Sequence, residues 1–227
     1  RRGTTSQHSS FTGAEAEVTI DTDKEVAVVH NGSTAGGFPL ARAGQTLALA
    51  GGAITGDVTF ANGADIITAS AGTSNFRAGV NAGNSIASGG NYNVCVGDEA
   101  GTAITTGDQI TAVGYQAGNA MATNSQSSFF GYNAGLATTG SGNNFFGTFA
   151  GQANTSGVNN VAMGNLALLT NVDGDDNTAI GSNALRNLEP DDGSSYNTAV
   201  GSQAGFALTT GDSNTLIGGL AGDAITT

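Results

Sequence analysis

The sequence predicts an all-β protein in which a small N-terminal β module precedes a long parallel β-roll, or β-helix. A unit of about 17 residues recurs nine times from Asn75 onward, and each copy contains a Gly followed three residues later by Ala. Such a unit is too short for helical repeats, which need more than about 30 residues. We therefore expect each unit to form one coil of two short strands and two turns.

The first segment, residues 1–45, predicts a small β unit. Residues 17–21 alternate polar and apolar side chains, residues 26–29 form an apolar run, and Asp21–Lys24 suits the turn between them. Two strands bury too little surface to be stable alone, so we expect this module to associate or to dock onto a larger partner. Residues 46–74 are expected to be a linking β segment, and residues 75–227 the repeats.

The recurring Gly anchors each unit, at spacings of 18, 17, 17, 16, 17, 17, 20 and 17 residues. We expect it to provide a backbone conformation or a close approach that a Cβ would block. The anchors are Gly79, Gly97, Gly114, Gly131, Gly147, Gly164, Gly181, Gly201 and Gly218. Nine coils stacked at strand spacing, about 4.8 Å each, would make a rod of roughly 40 Å.

Positions counted from the anchor have the same character in most copies. Position −1 is always apolar, position +3 is always Ala, and position −4 is Asn in seven copies, with Ile110 and Ser127 as exceptions. Equivalent side chains should therefore stack on one another from coil to coil.

Positions −1 and −2 are both largely apolar, although strand alternation points them to opposite faces. One face can fill the inside of the coil, and the other would be bare on a single solenoid. Phe129, Phe145 and Leu216 at position −2 argue against simple exposure. We therefore predict that a neighbouring copy covers the second face, in a homo-oligomer.

The units at residues 177–184 and 197–204 resemble the head repeats of YadA-type trimeric autotransporter adhesins. This resemblance implies a left-handed parallel β-roll wound as a homotrimer. The period near 17 is longer than that of the adhesin heads, and the turns are longer too. No receptor-binding residue of those adhesins is therefore carried over.

Residues 1–5, 13–23 and 28–34 resemble the N-terminal module of bacteriophage tail fibres and tropism-determinant proteins, and residues 47–58 resemble a short linking motif of phage fibres. The resemblance implies that residues 1–45 trimerise and bind a tail, baseplate or neck protein of the virion. Residues 224–227 repeat residues 103–106, after which the earlier copy continues. We expect the native chain to continue as well, with host-receptor contacts C-terminal to residue 227.

The composition favours a virion or surface fibre. Glycine accounts for 37 of 227 residues, charged residues for only 11%, and the net charge is −12. Residues 43–227 contain only two cations, Arg77 and Arg186, so we expect no binding to nucleic acid. No apolar run of membrane-spanning length occurs, and the single cysteine, Cys95, is expected to act as a small apolar residue.

Acidic residues that could suggest catalysis or metal binding occur in two turns. Asp173, Asp175 and Asp176 lie in one turn, and Glu189, Asp191 and Asp192 in another, but Tyr196 is the only aromatic residue nearby for sugar stacking. Calcium binding at residues 173–177 is an alternative, although the spacing does not match an EF-hand. His8 and His30 have no neighbouring ligand pattern. We predict no enzymatic activity and no catalytic, cofactor or metal residues.

The 20-residue spacing before Gly201 reflects an insertion at residues 188–195. It is the best candidate for a recognition loop, because three copies in a trimer would add their weak contacts through avidity. A tolerated surface insertion is the alternative. The candidate loop residues are Glu189, Pro190, Asp191, Asp192 and Tyr196.

These observations predict a structural fibre of a tailed bacteriophage, located in the virion, whose rigid trimeric shaft serves host recognition. A bacterial trimeric adhesin at the cell surface is the alternative. An ice-binding solenoid would need a regular array of Thr, and Phe76, Val94 and Val161 at position −3 interrupt it.

Overall fold

The computed structural model describes residues 2–39, 70–190, 193 and 195–227. The chain divides into two compact units, Arg1–Ala64 and Asp65–Thr227. Most of the predicted linker, including the motif at residues 47–58, lies outside the described residues.

The N-terminal unit contains a four-stranded sheet in the order β1-β2-β3-β4 and one short helix. The elements are β1 (Arg2–Gly3), α1 (Thr5–Ser9), β2 (Val18–Asp21), β3 (Val26–Val29) and β4 (Phe38–Pro39). The predicted hairpin is confirmed, since β2 and β3 pair antiparallel with Val18 opposite Val29. The helix begins at a capping box formed by Thr4 and Gln7.

The second unit is a parallel β-solenoid, as predicted, although each coil contributes one short strand to its sheet and not the expected two. Its nine strands form one sheet in chain order, and consecutive strands pair in parallel. The strands are β5 (Phe76–Ala78), β6 (Val94–Val96), β7 (Thr111–Val113), β8 (Ser128–Phe130), β9 (Asn144–Phe146), β10 (Val161–Met163), β11 (Thr178–Ile180), β12 (Thr198–Val200) and β13 (Thr215–Ile217). Turns continue the winding beyond both ends of this ladder, where Tyr92 N donates to Thr73 O and Thr209 N to Thr226 O, so the number of turns is slightly larger than nine.

Each strand ends at an anchor glycine whose conformation excludes a side chain. The anchors have φ between 123° and 143°, a region that L-residues rarely adopt. A Cβ on Gly147 would also lie 2.5 Å from the carbonyl oxygen of Gly164 in the next coil. The anchor therefore allows both the turn and the close stacking of coils.

The structure corrects one sequence expectation about the two apolar faces. Phe129 and Phe145 at position −2 are fully buried inside the solenoid, and Leu216 packs against the same core. They therefore need no neighbouring chain to cover them. The side chains that point outward are those at positions −1 and −3, because the alternation of the strand places position −2 inside.

In the four coils of β8 to β11, side-chain volume inside the solenoid is balanced between positions −2 and +4. In other coils, such as that of Ala112 and Gly118, both positions are small and a side chain of the adjacent coil, here Phe129, occupies the space. Where position −2 is Phe, as in Phe145, position +4 is a glycine, Gly151, and a Cβ there would collide with the ring. Where position −2 is Ala162 or Ala179, position +4 is Leu168 or Leu185, and both leucines are fully buried. These two leucines adopt positive φ angles of 52° and 45°. Filling the core therefore outweighs a backbone strain of about 1–2 kcal/mol.

The asparagines at position −4 form a buried ladder that ties the coils together. The Oδ1 of Asn160 accepts hydrogen bonds from the backbone N–H of Asn177 at 2.9 Å and from its Nδ2 at 3.1 Å. The Nδ2 of Asn160 donates to the carbonyl of Gly174 at 2.8 Å. A buried group left without its partner costs about 1–3 kcal/mol, so the ladder fixes the coil register as well as the fold.

Candidate functional site

The outer face of the solenoid is a largely apolar surface that follows the whole strand ladder. We define it as positions −3 and −1 of the nine strands, the first and last residue of each strand from β5 to β13. Met163 is 43% exposed and Ile217 is 71% exposed. None of these eighteen side chains is charged, although the chain as a whole carries a net charge of −12. The face is suited to a protein contact that excludes water.

Two aromatic side chains mark the middle of the outer face. The rings of Phe130 and Phe146 stack with their centroids 4.9 Å apart and an interplanar angle of 8°. Tyr115 and Tyr132, each at position +1, stack beside them at 5.2 Å. Burial, then the charges of Glu99 and Asp98 and the neighbouring Tyr132, raise the pKa of the Tyr115 hydroxyl. This phenol therefore remains protonated at neutral pH.

The two histidines of the N-terminal unit lie in a buried hydrogen-bond chain. The Nδ1 of His8 lies 3.0 Å from the Thr4 carbonyl, to which it must donate, and the N–H of Gly13 donates to Nδ1 of His30 at 3.3 Å. The hydroxyl of Thr19 then bridges the two Nε2 atoms at 2.8 and 2.9 Å, accepting from His30 and donating to His8. Every nitrogen of both rings is thus occupied by a structural bond, which favours a packing role over catalysis or metal binding.

The outer side of the N-terminal sheet is apolar. Val18 is 52% exposed and Ile20 is 37% exposed. Their cross-strand partners on this side are Val29 and Ala27, which are half-buried. This unit therefore also presents a sheet face that another protein surface could cover.

The candidate recognition loop is described only in part. Asp191 and Asp192 lie outside the described residues. Pro190 is buried, Tyr196 is 58% exposed, and the carboxylate of Glu189 accepts a hydrogen bond from the N–H of Val172 at 3.1 Å. Burial and the charge of Asp173 raise the pKa of Glu189. The role of this loop in recognition stays a prediction.

One acid of the turn at residues 173–176 has a structural role. The carboxylate of Asp175 accepts a hydrogen bond from Val158 N in the preceding coil at 2.7 Å, and Asp108 does the same for Asn91 N at 2.6 Å. Sequence reasoning missed this function of position −6. The signal was present, because that position holds Asp, Asn, Ser or Thr in eight of the nine copies.

Within the described parts of the chain, neither a metal-ligand cluster nor a membrane-spanning helix is present. There, no three His, Cys, Asp or Glu side chains are grouped as ligands for an ion. Across the same residues, no helix has the length and apolar character needed to span a bilayer. Cys95 is fully buried, and this burial raises the pKa of its thiol to about 11.

The N-terminal unit is similar in sequence to phage proteins. Residues 1–34 match the family described as the major tropism determinant N-terminal domain. The chain is also 69% identical over 42 residues to a tail fiber receptor-binding protein of Bordetella phage BPP-1; this covers 18% of the chain and 11% of that protein. No solved structure matches the chain. The predicted resemblance of this chain to bacteriophage tail fibres is thereby confirmed.

Proposed function

We propose that this chain is a structural fibre of a tailed bacteriophage, attached to the virion through its N-terminal module and used in host recognition. The observation that carries the proposal is the match of residues 1–34 to the tropism-determinant domain, followed by a solenoid. The similar Bordetella phage protein is a tail fibre receptor-binding protein. The function is mechanical and multivalent and requires no catalysis.

The finer part of the proposal is that the solenoid is the shaft of a homotrimer. The support is the uncharged outer face, where the exposed apolar residues Met163 and Ile217 would be buried by other copies. The exposed Val18 and Ile20 support association of the N-terminal unit as well. Three copies would stiffen the shaft, because each coil would gain interchain contacts in addition to its stacking bonds.

The first test is the molar mass of residues 1–227 in solution by light scattering. We expect three times the chain mass of 22.2 kDa. A stable monomer would contradict the trimer.

Gold-labelled antibodies against the solenoid should then decorate the tails of purified phage particles, and unlabelled particles would contradict the virion assignment. Incubation with host-surface glycans should release no reducing ends; their release would overturn the non-enzymatic function.

A further inference from the structure

The two columns of the outer face vary in size in opposite directions. In the first coil the small Ala78 at position −1 accompanies the large Phe76 at position −3. In the middle coils the large Phe130 and Phe146 at position −1 accompany the small Ser128 and Asn144. The other six coils combine side chains of intermediate size: Val94 with Val96, Thr111 with Val113, Val161 with Met163, Thr178 with Ile180, Thr198 with Val200, and Thr215 with Ile217. The combined side-chain volume on this face therefore varies little from coil to coil.

An exposed face has no steric reason to keep this balance. Inside the coils of β8 to β11, the same kind of balance between positions −2 and +4 is explained by close packing at a fixed coil diameter. By the same reasoning, the combined side-chain volume of positions −1 and −3 is nearly constant because another protein surface packs against the outer face at a constant distance along all nine strands.

A second copy of this chain fits that requirement better than an unrelated partner. Its strands repeat at the same spacing, about 4.8 Å, so contacts can be matched in every coil. The acidic chains repel one another elsewhere, whereas the outer face has no charge to desolvate. A globular partner would match neither the repeat nor the length of this face.

We propose that the outer face packs in parallel and in register against a second copy, with column −1 of one copy against column −3 of its neighbour in the same coil. Large side chains such as Phe130 then meet small ones such as Ser128. Because the two columns differ, the contact is heterologous, and with three copies related by a three-fold rotation such contacts close into a ring. This inference rests on the self-association in the proposed function and adds its direction and register.

Disulfide cross-linking tests the register. The native thiol is first removed by Cys95→Ala, because alanine occupies the same core position in four other coils. Thr178→Cys and Ile180→Cys are then combined in this background, and the chain is oxidised. We expect covalently linked trimers on a non-reducing denaturing gel. Thr178→Cys with Val200→Cys, one coil out of register, is the matched control and should remain largely uncross-linked. The pair Val113→Cys with Ile180→Cys would cross-link in an antiparallel arrangement. We expect this pair to remain largely uncross-linked as well.

The outcomes separate this inference from the proposed function. Light scattering is measured on each variant before oxidation. Trimers that cross-link only through the control pair or the antiparallel pair would overturn the register while leaving the proposed trimer intact. Trimers that cross-link through none of these pairs would show that another face is used. Monomers without cross-links would overturn both.

Discussion

Gly147 illustrates how single residues determine the coil. Its φ of 143° is open to glycine, and the carbonyl of Gly164 occupies the space that a Cβ would need. Gly218, the anchor that follows the last strand β13, has a similar φ of 125°, but a Cβ there would meet no atom closer than 4.0 Å. Substitutions at these two glycines therefore distinguish the cost of backbone strain from the cost of the steric clash between coils.

We expect Gly147→Ala to destabilise the solenoid by about 2–6 kcal/mol, since strain and overpacking each cost about 1–3 kcal/mol. Gly218→Ala is the matched control and should cost only the strain, about 1–3 kcal/mol. Urea denaturation followed by circular dichroism would measure both changes. Equal losses of stability in the two variants would show that the contact with Gly164 is unimportant.

Asp21 makes the stability of the N-terminal unit depend on pH. Burial acts to raise its pKa, but the Thr5 hydroxyl and the N–H groups of Lys24 and Asp23 outweigh this effect, and its pKa lies below the ordinary value. A lowered pKa in the folded state stabilises the fold above the unfolded-state pKa, and this contribution is lost as pH falls through the folded-state pKa.

We expect Asp21→Asn to weaken hydrogen-exchange protection of β2 and β3 at pH 7, and to have little effect at a pH below the folded-state pKa of Asp21. The exchange rates of variant and wild type would be compared at each pH. Asp23→Asn, which keeps the oxygen that accepts from Thr5 N, serves as the control. A loss of protection that is the same at both pH values would contradict the electrostatic explanation.

At the scale of one coil, the interior positions act as a set. Phe145 with Gly151 and Ala162 with Leu168 are two solutions to the same packing problem in adjacent coils. Neither Gly151→Leu nor Phe145→Ala alone reproduces the neighbouring coil: the first overfills the core and the second leaves a cavity.

We expect the double variant Phe145→Ala/Gly151→Leu to be more stable than the sum of its single variants predicts, with a coupling of about 1–3 kcal/mol. Phe145→Ala with Gly205→Leu, in a distant coil, should instead be additive within about 0.5 kcal/mol. Chemical denaturation of the three single and two double variants would provide the comparison. An additive Phe145/Gly151 pair would show that the two positions do not share space.

At the scale of the whole molecule, an acidic chain can associate only where its charges are absent. The outer face meets this condition, so a charge placed there should act on association more than on the coil itself. We expect Ile180→Glu to abolish or weaken the trimer in light scattering, because the carboxylate would have to be desolvated in the contact. Ser182→Glu, two residues away at an exposed position, should leave the mass unchanged. An unchanged mass for Ile180→Glu would contradict association through this face.

The sequence alone determined the repeat and the strands before each anchor, because a position repeated nine times identifies its environment. It also determined the β2–β3 hairpin, because residues 17–21 alternate and residues 26–29 form an apolar run. It also predicted the resemblance to phage fibres from residues 1–34. It did not predict β1 or β4, since strands of two residues show no periodicity, or α1, whose start depends on the cap between Thr4 and Gln7.

Only the tertiary structure decided which apolar column lies inside. Positions −1 and −2 are about equally apolar in the sequence, so hydrophobicity cannot choose between them. The choice follows from the asparagine ladder: Asn160 at position −4 must bury its amide against the next coil, and alternation places Ala162 on the same side. The buried hydrogen bonds at position −4 therefore determine which side of each strand points inward. Positions −3 and −1 are left on the outside and form the candidate contact surface.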